Sequence, residues 1–168
     1  MAQETLRVLT WKGYAPAKLI KAFEAETGID VKLTYSNNEE MIAKLRATRG
    51  AGFDLAQPSQ DRISFVQNKF PIYQAIDYSK VNTDQLTKSM LDAVKKNSAV
   101  DGKGFAVPHC YGTTGMIVNQ KLAPGADDWS DLWNPEYAGK ISYRLKRPLL
   151  IATAFGMGED PFALYGDI

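Results

Sequence analysis

The chain has 168 residues, of which 45% are hydrophobic and 23% charged, a balance typical of globular proteins. Its 20 Lys and Arg residues against 19 Asp and Glu residues leave a net charge of +1, which gives no reason to expect nucleic acid or an anionic membrane as the partner. No apolar run approaches the roughly 20 residues that a membrane-spanning helix needs, and the lone cysteine, Cys110, excludes an internal disulfide.

The first part of the chain alternates strand and helix patterns. Strands are predicted at 5–10, 30–35 and 53–56, and helices at about 16–27, 36–48 and 58–69. Such alternation is typical of an α/β layer with parallel strands, in which ligands bind at the carboxyl ends of the strands. The loops 11–14, 36–38 and 58–61 are therefore the candidate binding loops.

A Gly/Thr segment at 112–115 divides the rest of the chain into a part before it and a part after it. Before it, a helix is predicted at 84–96 and a strand at 105–108. After it come β-type residues 116–119, a helical turn at 129–133, a strand at 140–144 and a helix at about 148–155. The segment could be a bulge in one sheet or a hinge between lobes. The hinge is favoured, which predicts a first lobe at 1–111, a hinge crossover at 112–115 and a second lobe at 116–168.

No arrangement of residues typical of an enzyme or a metal site occurs in the sequence. His109 is the only histidine, no G-x-S-x-G motif surrounds Ser59, and one histidine with one cysteine cannot supply a zinc site. The phosphate-binding glycine motifs are also absent. We therefore predict no catalytic residue, no metal and no cofactor.

Aromatic and polar residues that follow or end the predicted strands are candidate ligand contacts. Aromatic faces attract cations with about 0.5–2 kcal/mol per contact, so these residues suit a cationic or partly apolar solute. The alternative is that Trp11 and Tyr14 belong to the core of the first lobe. The candidates are Trp11, Tyr14, Ser59, Asp61, Tyr111 and Tyr143.

A basic run occupies residues 140–147, with four positive residues in eight and no acid. It could be an ordinary solvated face. Alternatively, Arg144, at the end of the strand predicted at 140–144, could bind a carboxylate or phosphate of the ligand through its forked guanidinium.

Four segments, taken in order, resemble the spermidine/putrescine-type periplasmic solute-binding proteins of ABC importers. This resemblance implies a type II periplasmic-binding-protein architecture, with two α/β lobes that trap a solute and present the closed form to a membrane permease. The first lobe is expected to be nearly complete and the second truncated. The four segments are LTWKGY (9–14), FDLAQPS (53–59), AVPHCYGTTG (106–115) and WSDLWNPEYAG (129–139).

The resemblance also implies roles for individual residues. Trp11 and Tyr14 match the aromatic ligand contacts of the family after the first strand, and Ser59 matches its serine after the third. Tyr111 falls where the family has an aromatic residue at the crossover. These residues are expected to contact the solute.

Two departures from the family pattern put the usual polyamine ligand in doubt. Gly13 stands where the family commonly has a carboxylate, and residues 145–147 (Leu-Lys-Arg) replace an acidic pair. Asp61, where the family often has a tyrosine, could hold one ammonium group, which would leave Arg144 for an anionic end. A polyamine-like amine and a zwitterionic or anionic solute, such as an ω-amino acid, carboxylate or phosphonate, are both open.

Further expectations follow from the family. Its members run to about twice this length, so the chain is expected to be the N-terminal half of a periplasmic receptor whose secretory leader has been removed. Open sheet edges would then favour dimerisation or exchange of elements. Two rival functions are a receptor for a metal or oxyanion, and an enzyme on the same two-lobed architecture.

Overall fold

The computed structural model describes residues 4–161 and divides the chain into two compact units. The first unit ends at Cys110 and the second begins at Tyr111. No helix among the described residues is long and apolar enough to cross a bilayer.

A three-stranded parallel sheet forms the centre of the first unit. Its strands are β1 (Thr5–Thr10), β2 (Asp30–Tyr35) and β3 (Leu55–Ala56), in the order β2-β1-β3. All six residues of β1 pair with β2, whereas β3 pairs only through its two residues, opposite Val8 and Leu9. The carboxyl ends of β1 and β3 therefore lie side by side.

Four α-helices accompany this sheet. Local signals account for two of their ends: Asn37 accepts a hydrogen bond from the Glu40 amide, 3.0 Å away, at the start of the second helix, and Gly28 ends the first with a positive φ of 72°. The third helix is preceded by a 3₁₀ turn at Gln60–Arg62. The helices are α1 (Ala17–Thr27), α2 (Asn38–Thr48), α3 (Ile63–Lys69) and α4 (Lys88–Asn97).

The core of the first unit lies between β1 and α2. Leu9 and Met41 are fully buried and Leu45 is nearly so, because β1 is the central strand and α2 covers it. Partly buried side chains surround this cluster: Trp11, Phe53, Ala56, Ile72 and Tyr73.

The second unit consists of short helical segments. Two 3₁₀ turns, Trp129–Trp133 and Pro135–Tyr137, precede helix α5 at Arg147–Gly156. Asp128 and Asp131 form a reciprocal capping box around the first turn, which confirms the predicted helical turn at 129–133.

Several predicted strands are wrong. Residues 105–108, 116–119 and 140–144 form no strand, because no other described segment supplies the ladder of hydrogen bonds that a strand requires. Helix α4 also begins at Lys88, four residues later than residue 84. The Leu86 amide closes a turn on the Thr83 carbonyl at 3.0 Å, and Thr87 is the N-cap residue.

Candidate functional site

An aromatic pair follows β1 at the carboxyl edge of the sheet. The rings of Trp11 and Tyr14 lie 6.1 Å apart between centroids and are inclined by 33°. A tight turn brings them together: the Tyr14 amide donates to the Trp11 carbonyl at 3.1 Å, and Gly13 takes a φ of 90° that a side chain would disfavour. The glycine that departs from the family pattern is thus favoured by the backbone conformation of this turn.

Trp11 is fixed by the neighbouring strand. Its indole Nε1 donates to the Gln57 carbonyl at 3.0 Å, just beyond the end of β3. Its ring also packs against the core cluster of Leu9 and Met41. The core alternative therefore holds in part for Trp11, whereas Tyr14 is 44% exposed to solvent.

His109 lies beside the aromatic pair, a contact that its sequence context did not predict. Its ring centroid lies 6.0 Å from that of Tyr14, and its Nε2 lies 3.1 Å from the Tyr14 carbonyl oxygen. Electrostatic interaction with the neighbouring Cys110 side chain, followed by partial burial and a hydrogen bond between the two side chains, raises the pKa of Tyr14. The Tyr14 hydroxyl is thus in hydrogen-bonding contact with the Cys110 side chain.

Ser59 and Asp61 lie at the exit of β3, on the same edge as the aromatic pair. The Ser59 amide donates to Oδ1 of the buried Asn38 at 2.9 Å, which ties this loop to the first residue of α2. The residues Ser59 and Asp61 are exposed. Asn38 belongs to the predicted binding loop 36–38 but was not singled out, because an asparagine at a helix start is typical of an ordinary cap.

Carboxylates at the start of α2 also lie near this edge. Glu39 forms an ion pair with Arg62 at 3.4 Å, and Glu40 accepts a hydrogen bond from the Ser36 hydroxyl at 2.8 Å. This hydrogen bond, with a smaller contribution from Lys44, lowers the pKa of Glu40. Both carboxylates are therefore paired with a basic side chain, Glu39 with Arg62 and Glu40 with Lys44 at 3.8 Å.

The predicted site residues of the second unit are not clustered within it. The Tyr143 hydroxyl lies 2.5 Å from the Thr153 hydroxyl on α5, so it is engaged in local packing. Tyr111 is 76% exposed, and Arg144 is also exposed. The described contacts do not link these three residues.

The second unit contains a shallow, open depression of about 360 Å³. Its lining mixes apolar, aromatic and polar side chains: Met116, Val118, Gln120, Ala126, Asp127 and Trp129. Within residues 4–161, no group of three or more His, Cys, Asp or Glu residues could hold a metal ion.

A parallel sheet whose carboxyl edge carries aromatic and polar side chains is typical of α/β folds that bind ligands at this edge. The family model for bacterial extracellular solute-binding proteins matches residues 18–163, and the chain belongs to this family.

Sequence comparison with individual solute-binding proteins agrees with this assignment. The chain is 34% identical over 142 residues to the spermidine/putrescine-binding periplasmic protein of Escherichia coli, covering 82% of this chain and 39% of that protein. It is 28% identical over 170 residues to the putrescine/cadaverine-binding protein of Pseudomonas aeruginosa, covering 98% of this chain and 44% of that protein. The chain therefore spans about two fifths of the length of these relatives.

A solved structure gives the same fold. The spermidine/putrescine ABC transporter substrate-binding protein of Streptococcus pneumoniae superposes with a TM-score of 0.62 and 28% sequence identity, covering 80% of this chain and 41% of that one. The fold is that of a type II periplasmic binding protein, and this chain contains part of it. The fold class expected from the sequence is confirmed.

Proposed function

We propose that the full-length protein is the solute receptor of an ABC importer, and that it captures a small amine-containing, polyamine-like solute without altering it chemically. The names of the relatives support this role. The observation that carries it is the aromatic pair of Trp11 and Tyr14 at the carboxyl edge of the sheet, with Trp11 held by β3 and Tyr14 open to solvent.

The aromatic pair suits an amine on physical grounds. An ammonium group over a Trp or Tyr ring gains about 0.5–2 kcal/mol, and more as water is excluded. The Tyr14 hydroxyl, which is hydrogen-bonded to the Cys110 side chain, adds a polar group beside the ring. Asp61, exposed at the exit of β3, supplies the carboxylate that an ammonium group needs, and Ser59 offers a hydroxyl.

A second candidate solute carries an anionic end, as an ω-amino acid, a carboxylate or a phosphonate does. The observation in its favour is the basic run 140–147, which contains no acid and in which Arg144 is exposed. Arg144 would bind the anionic end through two parallel hydrogen bonds. Tyr111 would contribute an exposed ring, and Tyr143 would support the segment through Thr153.

The proposed mechanism is closure of two lobes around the solute. The Gly/Thr segment 112–115 would act as the hinge, close to the boundary between the two compact units. The solute favours the closed form only through contacts that the open form lacks, and the closed form would then engage the membrane permease. We also propose that the protein is periplasmic, as the Escherichia coli relative is by its name. Dimerisation through sheet edges has no support from the relatives and stays a prediction.

A thermal-shift screen of the full-length protein tests this function. Putrescine, spermidine, 4-aminobutyrate, succinate and 2-aminoethylphosphonate represent the competing solute classes. A bound solute at 100 times its Kd stabilises the folded state by about 2.7 kcal/mol, which raises the melting temperature measurably. Stabilisation by the diamine and polyamine supports the first proposal, and stabilisation by the zwitterions or succinate alone supports the second. No shift with any probe would contradict both.

A further inference from the structure

Gln57, just after β3, forms hydrogen bonds with three successive residues at the end of β1, Leu9 to Trp11. Its backbone amide donates to the Leu9 carbonyl at 3.0 Å, and its carbonyl accepts the Trp11 indole N–H, also at 3.0 Å. Its side-chain oxygen accepts the hydroxyl hydrogen of Thr10. One residue therefore fixes three consecutive positions, the last of which is the proposed aromatic wall.

The side-chain bond and the indole bond each have a clear physical reason. Thr10 is completely buried, so its hydroxyl depends on the acceptor that Gln57 supplies; the next oxygen, the Trp11 carbonyl, is at 3.4 Å. Pro58 follows Gln57 and restricts its backbone to extended conformations, which directs the Gln57 carbonyl. The indole of Trp11 is only a donor, and this carbonyl is its acceptor.

We propose that Gln57 is a positioning residue for solute binding: its side chain, through Thr10, holds the backbone that orients the Trp11 ring. This inference rests on the proposed receptor function. In it, Gln57 acts through Trp11 and does not contact the solute. A site whose aromatic wall is already oriented loses less conformational freedom when the solute binds, so the affinity depends on this anchor.

Two substitutions by side chains of similar length test whether the hydrogen-bond acceptor of Gln57 holds Trp11. Gln57→Met keeps its reach and removes the acceptor, whereas Gln57→Glu keeps an acceptor for the Thr10 hydroxyl. Gln74→Met is the matched control, because Gln74 is an exposed glutamine of the same unit. The solvent exchange rate of the Trp11 indole N–H, assigned by the loss of its signal in Trp11→Phe, reports the anchor without any solute.

In the full-length protein, Gln57→Met is expected to accelerate exchange of the Trp11 indole N–H and to weaken the affinity for putrescine, each about fivefold, as expected for one lost hydrogen bond. Gln57→Glu is expected to keep the wild-type exchange rate. Gln74→Met is expected to change neither the exchange rate nor the affinity for putrescine. If Gln57→Met fails to fold, Thr10→Val removes the donor of the same bond and should give the same two changes.

Three results would overturn the proposal. Unchanged exchange in Gln57→Met would mean that the side chain does not hold Trp11. Faster exchange with unchanged affinity would mean that the anchor does not serve binding, and weaker affinity with unchanged exchange would mean that Gln57 contacts the solute directly. If putrescine and the other probes fail to bind the wild-type protein, the proposed function fails, and the exchange rates alone decide whether Gln57 positions Trp11.

Discussion

The two units use the same kinds of local signal but differ in what those signals build. The first unit has a parallel sheet and a core containing fully buried residues, whereas the described part of the second has no strand and buries only Ala126 and Pro161. Caps and turns formed in both units, because they depend on a few adjacent residues. Strands formed only in the unit where another segment pairs with them.

Large-to-small substitutions should show this difference most strongly. Leu9→Ala removes a fully buried side chain at the centre of the sheet and should lower the free energy of unfolding by about 2–5 kcal/mol. Leu122→Ala in the second unit, where the side chain is 75% exposed, should change it by less than about 0.5 kcal/mol. Urea denaturation measures both. Similar costs for the two variants would contradict the assignment of the core to the first unit.

The next largest effect is expected at a buried polar anchor. Asn38→Ala leaves the Ser59 amide without its acceptor and should cost about 1–3 kcal/mol of unfolding free energy. The matched control is Asn82→Ala, because the side chain of Asn82 accepts only a local bond from the Asp84 amide and the residue is exposed. Chemical denaturation of the two variants should separate them clearly. Equal costs would mean that Asn38 acts only as a local turn residue.

The sequence predicted the elements that depend on nearby residues. The bounds of β1 and β2 agree with the structure, and Gly28 ends α1 as expected. β3 is shorter than predicted: its ladder is limited to two residues, and the Asp54 carboxylate before it accepts the Arg7 amide at 2.7 Å. A pattern of alternating residues does not show how far two strands will pair.

The contacts that shape the candidate site could not be predicted in this way. Gln57 is hydrogen-bonded to Trp11, which lies 46 residues earlier in the sequence, and His109 contacts Tyr14, which lies 95 residues earlier. No periodicity or spacing connects positions so far apart, since only the folded chain brings them together. The resemblance identified the segments that contain these residues, but their pairing became visible only in the structure.

Cap substitutions should affect both units similarly, because caps act locally. Asn37→Ala removes the acceptor at the start of α2 and should cost about 1 kcal/mol of unfolding free energy. Asp128→Ala removes the capping box of the 129–133 turn and should destabilise that turn to a comparable degree. Hydrogen exchange of the capped amides, Glu40 and Ser130, measures each effect in its own unit. Loss of protection at only one of the two amides would contradict the expectation that caps act similarly in both units.

The smallest effect at neutral pH is expected at Tyr73, beside the core. Its buried hydroxyl has no hydrogen-bond partner among the described residues, and burial raises its pKa to about 12. Tyr73→Phe should therefore be neutral or stabilising by up to about 1 kcal/mol at pH 7.

The pH dependence of Tyr73 has a definite sign. Because the pKa is raised in the folded state, the stability that this group contributes is complete below the unfolded value of about 10 and is lost as the pH rises through about 12. Urea midpoints measured between pH 9 and 12 should fall less in Tyr73→Phe than in the wild-type protein. Parallel falls would place the hydroxyl in contact with water.

Calorimetric titration of the full-length protein, with the probe that stabilises it most, tests the proposed site most directly. Trp11→Ala should weaken the affinity at least about tenfold, the equivalent of 1.4 kcal/mol, because the solute loses its aromatic wall. Trp133→Ala, which removes a 41% exposed tryptophan of the second unit, should leave the affinity within about twofold of the wild-type value. An unchanged affinity in Trp11→Ala would contradict the placement of the solute at the carboxyl edge of β1.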